Sequence, residues 1–318
     1  MLKRTVRLFV MPAATAILLT ALLTAVSLTL AQEEPVTEET TVTEEAVPAT
    51  SAAAPVESGY ASANGLEMYY EIYGEGEPIV MLHGAYMSIV SMGEIIPLLA
   101  ESRQVIAVEL QGHGRTADID RPIRYEAMAD DVAALLDTID VPQADVFGYS
   151  MGGGVAVQLA IRHPEKVDRL VVASMTYSST GYYPEMLAMI ETITPEVFAG
   201  SPMEAAYTSL APNPQDFATL VTKLTELDAQ PFDWEADFGK ITAPTLLIFG
   251  DSDLAQLDHI TAMFKALGGG VFGDLAGLPA SQLAVLPGTM HVTVLSQANW
   301  LNEIITRFLD EQPVQASF

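Results

Sequence analysis

The run Gly148-Tyr149-Ser150-Met151-Gly152 constrains this chain more than any other short stretch of it. An apolar segment, Ala144-Asp145-Val146-Phe147, precedes the run and reads as a buried strand. A helical pattern, Gly153 to Arg162, follows. A strand that must turn into a helix within a residue or two forces the residue at the apex into strained backbone angles. Gly148, Gly152 and Gly153 supply the room, because a Cβ there would meet the neighbouring strand or helix. The turn holds the Ser150 hydroxyl out, with a helix N-terminus behind it that favours negative charge. The pattern G-x-S-x-G is common by chance, so the rest of the chain must decide what it means.

Two more segments stand in the same relation to strands. Thr245–Phe249 is an apolar strand that runs into Gly250-Asp251-Ser252-Asp253. Gln282–Leu286 is another, followed by the loop Pro287-Gly288-Thr289-Met290 and then His291. Asp253 and His291 thus lie just past the carboxyl ends of strands, where open α/β sheets bind ligands. Ser, then acid, then His is the chain order of enzymes built on a nucleophile elbow. Asp251 competes with Asp253 for the acid position and is expected to cap the loop or face solvent. The other histidines read as structural. His83 and His113 sit in Gly-flanked turns, His163 ends a helix before Pro164, and His259 falls on the polar side of an amphipathic pattern.

Leu82-His83-Gly84 after an apolar strand, Gln111-Gly112-His113-Gly114-Arg115-Thr116, the elbow, Gly250-Asp251-Ser252-Asp253 and Gly288-Thr289-Met290-His291 occur in this order. With these marks the chain resembles the α/β-hydrolase family over roughly residues 60–310. Glu109 stands where many relatives carry Asp, and Gln111 where Arg is more usual. The resemblance implies an α/β-hydrolase fold: a mostly parallel eight-stranded sheet flanked by helices, with a helical cap inserted after the sixth strand. It implies Ser150 as nucleophile, His291 as base and Asp253 as the acid that orients it. It implies an oxyanion hole from the backbone N–H groups of Ala85 and Met151. Tyr86, Met87 and Tyr149 flank these groups and either touch substrate or pack beneath the cap. The implied reaction is hydrolysis of carboxylic esters, lactones among them, with no cofactor and no metal. Two alternatives stand beside it: a cofactor-free perhydrolase using the same triad, and a catalytically silent binding module. Ser at the elbow, where relatives with dehalogenase or epoxide-hydrolase chemistry carry Asp, argues against those reactions.

Composition bounds the remainder. The chain has no cysteine, which excludes a thiol nucleophile and thiolate metal sites. Its formal net charge is −27. From Gly59 onward, 11 Lys+Arg stand against 34 Asp+Glu, a difference of −23. Such a field repels nucleic acid and anionic membranes. The expected partner is a small-molecule ester, and the oligomeric state is left open. Residues 1–31 read as an export segment: Lys3, Arg4 and Arg7 precede 23 uncharged residues, Leu8–Leu30, and Thr29-Leu30-Ala31 offers a cleavage site. The stretch 8–30 is also long enough to remain as a membrane anchor. The protein is therefore expected outside the cytoplasm, secreted or tethered. Residues 32–58 carry seven glutamates and no Lys, Arg or aromatic residue, so they are expected to form a disordered linker.

The folded region, 59–318, alternates strand and helix signals. Strands are expected at 68–73, 79–82, 105–109, 145–149, 167–173, 245–249 and 282–286. Helices are expected at 93–101, 125–139, 151–163, 257–267 and 294–310. Residues 176–240 break this rhythm. Thr194-Pro195, Ser201-Pro202 and Asn213-Pro214 each join an N-cap to a helix-starting Pro, so this segment reads as the helical cap between core segments 59–175 and 241–318. Gly74-Glu75-Gly76 lacks the third glycine of a dinucleotide turn. The segment from Gly268-Gly269-Gly270 through Leu278-Pro279 reads as a surface connection of no evident function.

Overall fold

The computed structural model describes residues 54–311. The export segment, most of the expected linker (32–53) and the last seven residues lie outside the described ones. Eight strands form one sheet: β1 (Glu57–Ala63), β2 (Leu66–Tyr73), β3 (Pro78–Leu82), β4 (Gln104–Val108), β5 (Ala144–Tyr149), β6 (Val167–Ala173), β7 (Thr245–Ser252) and β8 (Gln282–Met290). Their order is β1-β2-β4-β3-β5-β6-β7-β8. β1 pairs antiparallel with β2, and β2 antiparallel with β4. From β4 to β8 every pairing is parallel. Asn64-Gly65, both at positive φ, close the β1–β2 hairpin.

β1 begins at Glu57, inside the segment expected to be linker, so that boundary moves toward the N-terminus. The strand is quiet in sequence because its inward residues are small: Ala61 and Ala63 are buried, while Glu57, Ser58 and Tyr60 face out.

The central strands read as unbroken apolar runs because both of their faces are covered. Val80, Leu82, Ile106, Val108, Val146, Leu170, Val172 and Leu247 point to one side. Their neighbours Ile79, Met81, Val105, Ala107, Phe147, Val171, Ala173 and Leu246 point to the other. The first side is covered by α2 (Tyr125–Thr138), α3 (Met151–Arg162) and α8 (Leu257–Ala266), the second by α1 (Ile95–Ala100) and α9 (Ala298–Leu309). The helix expected at 93–101 is short and follows a 3₁₀ turn, Ile89–Met92; the one expected at 294–310 starts late, after two such turns.

Between β6 and β7 the chain makes four helices and no strand: α4 (Pro184–Ile190), α5 (Pro202–Leu210), α6 (Phe217–Asp228) and α7 (Glu235–Phe238). Pro opens α4 and α5 at the first helical turn, where its missing N–H costs nothing. The insertion is closed at a neck. The Trp234 N–H donates to the Tyr177 carbonyl at 2.8 Å and the Ser179 N–H to the Phe232 carbonyl at 3.0 Å. Farther out, Lys223 on α6 donates to Asp118 at 2.5 Å and to the carbonyls of Ile119 and Arg121, tying the insertion to the loop after β4. Among the described residues no helix is long and apolar enough to cross a membrane.

Candidate active site

Six parallel strands place their carboxyl ends along one edge, and three side chains meet there. Ser150 occupies the turn between β5 and α3 at φ 53, ψ −122, a conformation few side chains tolerate. Its N–H donates to the Ala173 carbonyl of β6 (2.9 Å), while its own carbonyl accepts from Gly153 and Gly154. Those bonds hold the strained turn and leave the hydroxyl free to turn toward His291, whose Nε2 lies 3.1 Å from Oγ. The other ring nitrogen, Nδ1, lies 2.9 Å from Asp253 Oδ1. The carboxylate accepts there, so Nδ1 carries the proton and Nε2 faces Ser150 as an acceptor.

Asp253 is buried. Burial alone would raise its pKa, but hydrogen bonds from His291, Ser174 and the Gly250 N–H hold it below the usual carboxylate range. The Ser174 hydroxyl donates to Oδ2 at 2.5 Å, the Gly250 N–H at 3.1 Å, and the Leu254 N–H to Oδ1 at 2.7 Å. Ser174 itself sits at φ 57 just past β6. No sequence motif singles it out, and only the strand order brings it to β7. Asp251 has a different task. It is exposed and accepts from the N–H groups of Gly288 (2.9 Å) and Thr289 (3.2 Å), which joins the β7 and β8 ends. That bracing explains why β8 extends to Met290 where a loop was expected.

Ala85 and Met151 lie beside Ser150 in sequence or across the sheet. Among the described residues, no group accepts from either backbone N–H. The neighbouring Tyr86 N–H is taken by His113 Nε2 at 3.3 Å. Two neutral histidines build this loop. His83 bonds the Gly84 carbonyl (2.8 Å) through Nδ1 and accepts the Leu110 N–H (3.2 Å) through Nε2. His113 bonds the Gln111 carbonyl (2.9 Å) through Nδ1. Burial pushes His83 down to about 3 and His113 down to about 4, so both remain uncharged donor–acceptor pegs.

The three residues expected to flank the substrate divide. Tyr149 is buried, its ring stacked on His291 at 5.3 Å and its hydroxyl donating to the His291 carbonyl at 2.7 Å. It supports the histidine from below. Tyr86, at φ 61, turns its ring onto Phe198 of the insertion (5.0 Å between centroids). Met87 is half-buried against the sheet near Gly84 and Tyr149. His259 is not the surface residue that its helical pattern suggested. Its ring packs on Tyr177 at 4.3 Å and against Gly181, at the root of the insertion. Glu109, in place of the more usual Asp, is buried and accepts from the Ile89 N–H and from Arg115, away from Ser150.

One acid that sequence reading missed lies within electrostatic reach of Tyr86. Asp228 ends α6, and its charge acts on Tyr86, Tyr125 and Tyr182. Burial pushes its carboxyl up to about 7. The sign follows directly. Between the ordinary carboxylate range and pH 7 the folded state keeps a proton that the unfolded state has released, so stability falls as pH rises through that window. Asp228→Asn has no proton to lose. It is expected to leave the thermal midpoint unchanged near pH 4 and to raise stability by about 1–2 kcal/mol at pH 8, partial solvent access reducing the larger gain a fully buried carboxyl would imply. Thermal unfolding at the two pH values checks this, and an equal gain at both contradicts it.

A cleft of about 600 Å³ bounded by Asn64, Asp130, Arg162, His163 and Lys166 lies elsewhere, at the far end of α3. Twelve residues of helix separate its Arg162 from the Ser150 turn, roughly 17 Å. Its cations are already paired, Arg162 with Asp130 and Lys166 with Asp137. Among the described residues no cluster of His, Asp or Glu could hold a metal ion.

Comparison with known proteins agrees with this fold. A sequence profile described as alpha/beta hydrolase fold matches residues 77–231. The chain is 39% identical over 103 residues to a 2-hydroxymuconate semialdehyde hydrolase of a Pseudomonas species, which is 31% of this chain and 36% of that protein. It thus spans little more than a third of that relative's length. It is 27% identical to a pimeloyl-[acyl-carrier protein] methyl ester esterase of Nitrosospira multiformis, over 76% of this chain and 98% of that one. Among solved structures, a meta-cleavage product hydrolase from Pseudomonas fluorescens superposes with a TM-score of 0.62 at 22% identity, covering 81% of this chain and 99% of that one.

Proposed function

This chain is an α/β-hydrolase-fold protein, and we propose that it is a serine hydrolase that cleaves carboxylic esters, cyclic esters included. The observation that carries this reading is His291 bridging Ser150 and Asp253, with Nε2 turned to the hydroxyl and Nδ1 to the carboxylate. Ser150 Oγ attacks the ester carbonyl as His291 Nε2 takes its proton. Asp253 stabilises the imidazolium without itself taking the proton. The tetrahedral oxyanion is held by the Ala85 and Met151 N–H groups, at the N-terminal end of α3. Collapse breaks the bond to the alkoxide, which leaves with the proton from Nε2 and deposits the acyl group on Ser150. Water then repeats the sequence, its proton going to His291 and its hydroxide to the acyl carbon, and Ser150 is regenerated.

The insertion serves in this reading as the cap that limits acyl and alcohol size, meeting the loop after β3 where Phe198 packs on Tyr86. An ester-cleaving relative and a hydrolase acting on a semialdehyde are both compatible with such a site. Residues 1–31 are read as an export segment on sequence alone, which puts the reaction outside the cytoplasm.

Labelling of the full chain by a fluorophosphonate, followed by peptide mapping, tests the assignment. Modification at Ser150 that is lost in His291→Ala is the expected result. A folded chain that takes up no probe would remove the hydrolase reading and leave a binding module on the same fold.

A further inference from the structure

Asp228 has no task in the chemistry proposed above, and it is an uncommon acid. Burial is what pushes its carboxyl up to about 7, with no cation of the protein acting against it. A carboxyl set that deep is ordinarily paired with a cation or held by several donors. Neither holds here. Lys223, earlier on α6, is spent on Asp118 and two carbonyls. Among the described residues nothing donates a hydrogen bond to either Asp228 oxygen, yet neither oxygen is sealed off. Oxygens that stay open while protein surrounds them line a recess, as distinct from the packed core and from the outer face.

Three tyrosines from three other segments surround this acid. Tyr86 follows β3, Tyr125 opens α2 and Tyr182 enters the insertion, and the charge of Asp228 reaches all three hydroxyls. The Tyr125 hydroxyl is unbonded and open in the same way as the Asp228 oxygens. The Tyr182 hydroxyl donates to the Met175 sulfur at 3.0 Å, a weak acceptor. The Tyr86 hydroxyl is sealed and unpartnered, and Thr225 beside it gives its own proton to the Val221 carbonyl at 2.9 Å. The rings pack edge-on: Tyr125 against Phe232 (5.8 Å) and Trp234 (5.2 Å), Tyr182 against Phe232 (6.3 Å). The elbow is close by. A Cβ added at Gly154, one turn of α3 past Ser150, would stand 2.5 Å from the Tyr125 ring and 3.0 Å from the Met175 methyl. Asp253 acts on the Tyr182 hydroxyl as Asp228 does, so Tyr182 lies within reach of both acids.

We propose that this recess receives an alkylammonium group at the far end of the substrate, with Asp228 as its counterion, a proposal that rests on the ester-hydrolase reading. An alkylammonium carries three donors and no acceptor. It complements the two Asp228 oxygens and the Tyr125 hydroxyl, all three of which are free to accept. It also supplies the countercharge that the fold omits, whereas a neutral hydroxyl would leave a buried carboxylate uncompensated. Aromatic rings around it favour a cation further. The acid excess of the chain, −23 from Gly59 onward, draws cations from a distance but without regard to position. Asp228 is what makes the preference local. The substrate class is thus an ester whose acyl or alcohol arm ends in a protonated amine.

Esters that differ only at the tip test this on the full chain at pH 8 and fixed ionic strength. On the acyl side, the nitrophenyl ester of 6-aminohexanoate is set against that of heptanoate. On the alcohol side, 6-aminohexyl butyrate is set against heptyl butyrate. In at least one pair, kcat/KM for the ammonium ester is expected to exceed that of its neutral partner about tenfold, mostly through KM, the scale of one charge-assisted hydrogen bond. In Asp228→Asn that ratio is expected to fall below about twofold. A general loss of activity cancels, because the ratio is taken within each variant. Ratios near one in both pairs overturn the proposal. So does a preference that survives Asp228→Asn, which would assign it to the overall negative field. Turnover of no ester, with no fluorophosphonate labelling of Ser150, would instead fail the hydrolase reading. Binding then decides the recess alone. Butylammonium chloride is expected to change tryptophan emission saturably, where sodium chloride does not, and Asp228→Asn to abolish the change; no saturable change in the parent overturns the site as well.

Discussion

On the proposed mechanism, Ser150→Ala and His291→Ala are each expected to lower kcat/KM for ester hydrolysis by about 10⁴- to 10⁶-fold while leaving the thermal midpoint within a few degrees. The size of the loss follows from the geometry. The serine hydroxyl is a poor nucleophile until a base removes its proton, and His291 Nε2, 3.1 Å away, is the base within reach. The two losses should not add in the double variant, because each removes the same step. Stability is spared because the Ser150 turn is held by its backbone, through the Ala173 carbonyl and the N–H groups of Gly153 and Gly154. Asp253→Asn should cost about 10⁴-fold, since an amide in that place invites the wrong imidazole tautomer. Asp251→Asn should cost far less, because Asp251 bonds two backbone N–H groups and touches neither Ser150 nor His291. Initial rates on a short-chain aryl ester measure all four. Activity within 100-fold of the parent in Ser150→Ala, or Asp251→Asn worse than Asp253→Asn, would undo the assignment.

Gly152→Ala is expected to destabilise the fold severely, because the added methyl group meets main chain on two sides. Its Cβ would stand 2.2 Å from the Leu82 carbonyl oxygen and 2.5 Å from that of His83, both backbone atoms of β3 and the loop that carries Ala85. Gly148→Ala meets the Gly152 carbonyl at 2.2 Å and should behave alike. Overpacking a core typically costs 1–3 kcal/mol when side chains can shift, and here the obstacles are main chain, so about 4 kcal/mol or more is expected. That approaches the whole stability of a domain at the lower end of the typical 5–15 kcal/mol. Gly277→Ala provides the contrast. Nothing lies within 4 Å of its added Cβ, and only the backbone at φ 82, ψ 167 opposes it, worth about 1–3 kcal/mol. Soluble yield and thermal unfolding should rank Gly277→Ala well above the other two. Soluble Gly152→Ala with an unshifted midpoint would mean that the elbow is looser than its geometry implies.

The elbow was legible in sequence because these clashes leave glycine as the residue that fits, and strand and helix periodicity flank it on both sides. Asp253 and His291 were legible through their places past strand ends. What escaped has physical reasons. β1 buries only Ala61 and Ala63, so it lacks the apolar run that marks the inner strands. Ser174 supports Asp253 across two strands, a relation set by strand order and not by spacing along the chain. Tyr149 stands next to Ser150 in sequence, yet the alternation of β5 sends its ring under His291. His259 has the spacing of a surface position, and its burial depends on where Tyr177 and Gly181 come down on α8. Asp228 follows three turns of amphipathic helix and looks like a terminal surface acid until α6 is laid over the sheet.

The neck of the insertion has a consequence of another kind. With Tyr177–Ser179 paired to Phe232–Trp234, residues 180–231 leave and return at nearly the same point. Lengthening or shortening a loop whose ends already meet changes its closure entropy only logarithmically, about 0.6 kcal/mol for each doubling. The segment can accordingly be exchanged like an interchangeable tool head. Such a graft must retain Gly181–Tyr183, whose backbone pairs with Leu254–Gln256 directly after Asp253, and carry a replacement for the Lys223 tie to the loop after β4. An exchange of that segment should leave the distances among Ser150, His291 and Asp253 unchanged, because none of the three lies within it.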